Sequence, residues 1–328
     1  MKLNEEIIDL DFGAGGEKSW QLFKEIRALL KLKTKWQNYE DDAAIFDLGK
    51  EKLVFTTDAF IVEPIFFPGG DIGKIAFAGT INDLAVMGAR PIGISLAIVI
   101  EEGFLKKDLI KIINSINEVS LRAKVPIITG DTKVTEKGKL DKIEITTAGV
   151  GLAKKIITNK GARVGDFIIS SGDLGEHTVA ILSKRFNYQT KIKSDSKPLN
   201  FELEKVGLWL NACKDPTRGG LAANLIEIAE KSKVKIVLEE KNLPYKKETI
   251  SLAELLGLDV FSFASEGRFI AAVSPQNTKK VLKILKKFTP SAKIIGRVEK
   301  GKGVFLQTYL GSLRPISMPI GKLIPRIC

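Results

Sequence analysis

Apolar residues recur along the chain with two periods, and each period predicts its own kind of element. Alternating or continuous apolar runs bounded by Gly, Pro, Asn or Asp predict strands over residues 43–47, 53–57, 91–100, 125–129, 143–153, 166–171, 234–239, 268–273 and 293–299. Spacings of three and four predict helices over 20–32, 72–87, 106–122, 178–185, 199–213, 221–231, 248–256 and 276–287. The helix over 72–87 is apolar nearly all round, so it must be buried on every side. Asp71 is placed to cap its start, and Gly88 stops it before Pro91. Strands and helices mix without strict alternation, which predicts an α+β fold. A Lys-, Gly- and Asn-rich linker over 154–165 divides an N-terminal domain, 1–153, from a second domain, 154–312, with 313–328 left as a tail.

Polar residues that interrupt this pattern are the candidates for chemistry. Asp41 precedes the first strand, Asp58 closes the second and Asp83 breaks the buried helix beside Asn82. Asp131 follows the strand over 125–129, and Asp215 opens the loop before the helix over 221–231. Carboxylates drawn together from separate elements, without His or Cys, suit a hard cation; Mg²⁺ with nucleotide phosphates fits them better than zinc or iron. Gly13, Gly15 and Gly16 lead into the first helix, while Arg218, Gly219 and Gly220 lead into the helix over 221–231. Backbone N–H groups at such helix entrances suit phosphate, although neither segment has the P-loop or dinucleotide pattern. Residues 187–197 are polar and predict a mobile loop.

Composition narrows the picture further. At 328 residues and 44% hydrophobic content, the chain can bury two cores. No apolar run reaches the length of a membrane span, and the polar, acidic start is unlike a signal peptide, so a cytoplasmic protein is expected. The net charge of +12 raises nucleic-acid binding, but lysines such as 279, 280, 283, 286 and 287 lie opposite Val281, Leu282, Ile284 and Leu285, as on the wet face of a helix. No nucleic-acid or membrane partner is therefore expected. Two cysteines exclude a Cys-rich zinc site, and the one histidine, His177, leaves little room for Ser-His or Cys-His hydrolysis. The tail carries Pro315, Pro319 and Pro325 and ends the sequence on Cys328. Extended at about 3.1 Å per residue it could carry that thiol roughly 45 Å, to a distant site.

Seven motifs carry a resemblance. They are Asp41-Asp-Ala-Ala, Thr-Thr-Asp58, Phe66-Phe-Pro-Gly-Gly-Asp-Ile-Gly73, Thr80-Ile-Asn-Asp-Leu-Ala-Val-Met-Gly88, Gly130-Asp-Thr-Lys-Val134, Asp215-Pro-Thr-Arg-Gly-Gly-Leu221 and the final Pro-Arg-Ile-Cys328. The chain resembles the HypE family of hydrogenase maturation proteins, within the superfamily of aminoimidazole ribonucleotide synthetase, selenophosphate synthetase and thiamine-monophosphate kinase. The resemblance implies a two-domain PurM-like fold and a homodimer paired through the N-terminal sheets, with ATP and Mg²⁺ bound near that interface. It implies that a HypF-type carbamoyltransferase loads Cys328, that ATP drives dehydration of the thiocarboxamide to a thiocyanate, and that cyanide passes to iron on a HypC–HypD complex. Lys133 and Glu266 are implied beside the cysteine, with proton removal assigned to Glu266 and orientation to Lys133, or the reverse. Gly13, Gly15, Gly16, Asn82, Thr132, Arg218, Gly219 and Gly220 are implied nucleotide contacts. The chain departs from the family pattern at Phe12, where His is common, and at Gly175-Glu-His-Thr178. A small-molecule kinase or ligase of the same superfamily, or a non-catalytic carrier of Cys328, remain the alternatives.

Overall fold

The computed structural model describes residues 7–13, 15–30, 34–38, 40–319, 324 and 326–328. Residues 31–32 of the expected first helix and Pro325 lie outside them. The first half comprises α1 (Glu17–Leu29), β1 (Ala44–Asp47), β2 (Lys52–Phe60), β3 (Phe66–Phe67), β4 (Gly70–Asp71), α2 (Ile72–Val86), β5 (Arg90–Glu101), α3 (Lys106–Ala123), β6 (Ile127–Thr135) and β7 (Ile143–Ala153). The second comprises β8 (Phe167–Ser170), α4 (Glu176–Arg185), α5 (Asn200–Val206), β9 (Leu210–Lys214), α6 (Gly220–Ser232), β10 (Lys235–Glu239), α7 (Lys247–Leu256), β11 (Ile270–Val273), α8 (Pro275–Leu285), β12 (Lys293–Glu299), β13 (Gly303–Gln307) and β14 (Leu313–Ile316).

Strict alternation of buried and half-buried residues along β7 makes it the middle of a five-stranded sheet, ordered β1-β2-β7-β5-β6. Only β5 and β6 run parallel, joined by α3. The seven-stranded sheet runs β14-β13-β10-β12-β8-β11-β9. Ile168, Ile270 and Ala272 face the core under α6, whereas their neighbours Ile169, Ala271 and Val273 face the core under α5 and α8. Helices on both faces explain why β8 and β11 are continuous apolar runs.

Helix α2 packs against both halves. Asp71 caps it through Lys74 N–H at 3.0 Å, as expected. One side packs on the five-stranded sheet, while Ala85 and Val86 enter the core with Leu199, Leu203 and Val206 of the second half. This all-round burial is what its uninterrupted apolarity predicts, and it delivers Asn82 and Asp83 to the boundary between the halves.

Three expectations change. The helix over 199–213 stops at Val206; after a short 3₁₀ turn, Leu210–Lys214 pairs antiparallel with β11 as an edge strand. Sheet pairing overrides the helical spacing there. The strand over 125–129 continues to Thr135, so Asp131, Thr132 and Lys133 lie within β6 and not at its end. Residues 313–316, expected in the tail, form β14, where Pro315 is tolerated because β14 is an edge. The 187–197 loop lacks helix and strand as expected, yet Ile192, Ser194, Asp195 and Ser196 are buried.

Candidate active site

Carboxylates converge from four separate elements. Thr56 and Asp58 are two apart on β2 and so share one face. Oxygens of Asp42, Asp83 and Asp215 all lie within 4.8 Å of one another. Thr56 Oγ1 sits 2.8 Å from Asp83 Oδ2 and 3.0 Å from the Asp42 carbonyl, tying the hairpin to α2. Asp58 adjoins Asp83. Asp41 does not join the group; its carboxylate is 2.8 Å from Lys231 Nζ, and Asp42 takes the place expected for it. Lys214 pairs with Asp42 and lies 3.4 Å from Glu227.

Burial, then the mutual repulsion of Asp58, Asp215 and Asp42, holds Asp83 well above the usual carboxylate range. Burial raises Asp42 as well, against the pull of Lys214. Asp215 is pushed up to about 7, first by burial and next by Asp42. Asp42 Oδ2 is buried without a hydrogen bond among the described residues. Buried oxygens with negative charge that the surrounding cations do not offset are the donor set a hard divalent cation takes, so these residues fit Mg²⁺.

The two glycine segments, far apart in sequence, meet beside this group. Gly15 has φ of +84°, and a Cβ there would lie 2.8 Å from Arg218 Cβ and 3.1 Å from Gly219 N. Only glycine permits that approach. Arg218 donates to the Gly13 carbonyl at 3.4 Å. Gly219, with φ of +80°, caps α6 without a side chain; Gly220 N–H donates to Thr217 O at 2.9 Å, and no side chain caps the N–H groups after it, the kind of helix start that suits an anion.

The chain's last residues dock here. Arg326 O accepts from Glu63 N–H at 3.1 Å and Cys328 O from Ile61 N–H at 3.5 Å, while Ile327 is buried in the α2 core. Half-buried Cys328 rests against Glu266: burial first, then Glu266 and Asp58, push its thiol up, and Arg218 opposes them. Glu266 is buried, with its carboxyl raised to about 8 by burial and by Asp215 and Asp195.

Asn82, expected to contact nucleotide, is otherwise engaged. Both its N–H bonds donate to second-half carbonyls, of Lys197 and Glu266, at 3.1 Å, and its oxygen accepts from Leu199 N–H at 2.8 Å. It anchors the backbone of Glu266 itself. Asn82→Ala is expected to lower unfolding free energy by about 3 kcal/mol in denaturant titration, because three buried backbone groups lose partners. Asp131, Thr132 and Lys133 are exposed on β6, the sheet's edge, where Lys133 pairs with Asp131 at 2.9 Å. Within one chain they do not join the Asp42, Asp83 and Asp215 group. Sequence reasoning missed Asp42, one residue from the acid it favoured, and assigned no role to His177, whose signals were being the sole histidine and lying in Gly175-Glu-His-Thr178.

Comparison with known proteins follows this geometry. Residues 40–153 match the family described as AIR synthase related protein, N-terminal domain, and residues 163–308 match its C-terminal domain family. A carbamoyl dehydratase HypE of Rhizobium leguminosarum bv. viciae is 40% identical over 98% of this chain and 95% of its own. The chain belongs to the HypE family. Among solved HypE structures, one of a HypE–HypF complex superposes with TM-score 0.85 at 39% identity, covering 91% of this chain and 99% of that one. Another, of a HypE in complex with ATP, gives TM-score 0.82 at 35% identity, covering 98% and 100%. HypE relatives are carbamoyl dehydratases of hydrogenase maturation, and the two-domain PurM-like α+β fold expected from the motifs is the fold found. Among the described residues, no helix is long and apolar enough to cross a membrane.

Proposed function

We propose that this HypE-family chain dehydrates an S-carbamoyl group on its own Cys328 to a thiocyanate at the expense of ATP. The observation that carries the reading is the docked Cys328, held against buried Glu266 beside the carboxylate group and the two facing glycine loops. The net change is R–S–C(=O)NH₂ + ATP → R–S–C≡N + ADP + phosphate. The amide oxygen, a poor leaving group, takes the γ-phosphoryl group while nitrogen loses one proton. Loss of the second N–H proton then expels phosphate and leaves the C≡N bond.

Glu266 is the assigned base for N–H removal, since it touches the reacting residue and is buried. Arg218 and the open N–H groups of α6 would hold phosphate. Asp42, Asp83, Asp215 and the adjacent Asp58 would hold Mg²⁺, which would neutralise phosphate charge and polarise the transferring group. A free small-molecule substrate is disfavoured, because Cys328 itself lies against Glu266.

The working unit is proposed to be a homodimer. Along the unpaired edge of β6, Ile127, Ile128 and Val134 are 43%, 57% and 69% exposed, a surface that a second copy would cover. The same edge carries Asp131, Thr132 and Lys133, so we assign Lys133 of the partner subunit to orient the carbamoyl group. Mixing Lys133→Ala and Cys328→Ala chains tests this. Heterodimers should regain turnover that neither variant has alone, whereas a mixture without turnover contradicts it. A HypF-type carbamoyltransferase is the proposed loader of Cys328, and an iron-carrying HypC–HypD complex the proposed acceptor. Copurification of each with the full chain, but not with a chain cut after Met318, is the expected result.

A further inference from the structure

His177 stands in the first turn of α4, fully buried, and the reaction above does not use it. Its ring meets Phe67 edge-on at 5.3 Å. Among the described residues its polar partners are Ser194 Oγ at Nδ1 and the Ile327 carbonyl at Nε2, both at 2.8 Å. A carbonyl can only accept, so the proton sits on Nε2 and Nδ1 accepts from the Ser194 hydroxyl. Ser194 Oγ accepts in turn from Ser196 N–H at 3.2 Å, and Ser194 N–H donates to Pro68 O at 2.8 Å. The Ile327 carbonyl therefore fixes the tautomer, and Ser194 ties the ring to the Phe-Phe-Pro-Gly-Gly loop through its own N–H.

We propose that His177 is a positioning residue for Cys328, holding the peptide that joins Ile327 to it. That carbonyl belongs to the peptide unit leading directly into the reacting residue. Its bond to His177, at 2.8 Å, is shorter than those to Arg326 O, at 3.1 and 3.2 Å, and to Cys328 O, at 3.5 Å. With the peptide pinned, the sulfur substituent keeps only side-chain rotations, and its swing towards Glu266 is confined. Lifting the arm to a partner leaves the buried Nε2–H without its acceptor, so His177 also favours return of the arm. The docking half of this inference stands on the geometry alone, while its kinetic half rests on the reaction proposed above.

The experiment compares His177→Phe, His177→Gln and Ser194→Ala in the full chain. Gln can place an amide N–H near Nε2, and Phe cannot. Alkylation of Cys328 by iodoacetamide, which needs neither ATP nor carbamoyl donor and is mapped by peptide mass, should rise about tenfold in His177→Phe. It should rise less in Ser194→Ala and return near the unmodified rate in His177→Gln. Single-turnover loss of water from preloaded Cys328 should fall about tenfold or more in His177→Phe, with loading by the carbamoyltransferase undiminished. Unchanged alkylation in His177→Phe overturns the inference; should that variant fail to fold, unchanged alkylation in Ser194→Ala does so. Faster alkylation with no ATP-dependent water loss in any chain, including the unmodified one, would uphold the docking role and refute the dehydration reading instead.

Discussion

Glu266→Gln is expected to accumulate carbamoyl on Cys328 and to lose its ATP-dependent conversion by about 100- to 10,000-fold, the range of a positioned proton-transfer group. The substitution changes neither size nor backbone: Glu266 N–H still donates to Asp195 at 3.1 Å, and Asn82 still holds the Glu266 carbonyl. It also replaces an acid that burial holds at about 8, so thermal stability should not fall. Loading by the carbamoyltransferase should proceed, because that step needs the arm and not the base. Quenched-flow intact mass separates the two stages. Wild-type conversion in Glu266→Gln would remove the carboxyl from the chemistry.

Asp215→Asn should abolish the response to Mg²⁺ and slow turnover by about 100-fold or more. The metal-free protein should nevertheless gain about 2–4 °C in melting temperature, because one member of a mutually repelling buried group is neutralised. The pH dependence has a definite sign. Asp215 titrates near 7 in the folded chain against 3.8 as its ordinary value, and Asp83 and Asp42 are raised as well. An acid raised on folding contributes stability that is present below its unfolded value and is lost as pH rises through its folded one. Metal-free protein should therefore weaken from about pH 4 to pH 7, and the stabilisation by Mg²⁺ should be larger at about pH 8 than at about pH 5.5. Differential scanning calorimetry measures both. A Mg²⁺ effect that is flat with pH would contradict the assigned donor set.

The acids were legible because each interrupts an apolar pattern, where an unpaired carboxylate is costly. Choosing between Asp41 and Asp42 was not possible locally. Both carboxylates are buried; Asp41 is held by Lys231, 190 residues away, and Asp42, paired with Lys214 172 residues away, is the one that meets Asp83 and Asp215. Asp131 and Lys133 were read as a strand end because Gly130 looks like a stop, whereas pairing on β5 carries the strand through it. The helix expected over 199–213 failed for a related reason: its second half answers to a strand neighbour that period alone cannot reveal. The resemblance set Glu266 beside Cys328, but the contacts that dock the arm were not legible, since they reach its backbone carbonyls, from Ile61 and Glu63 N–H and from the His177 ring, and backbone groups carry no sequence signature. Proline content gave its reach but not its destination.

The central claim is tested most directly by the intact mass of the chain during reaction with the carbamoyltransferase, a carbamoyl donor and ATP. The account predicts a gain of one carbamoyl group mapped to Cys328, then loss of the mass of one water only when ATP and Mg²⁺ are added. A carbamoylated Cys328 that keeps its full mass in the presence of Mg-ATP would contradict it.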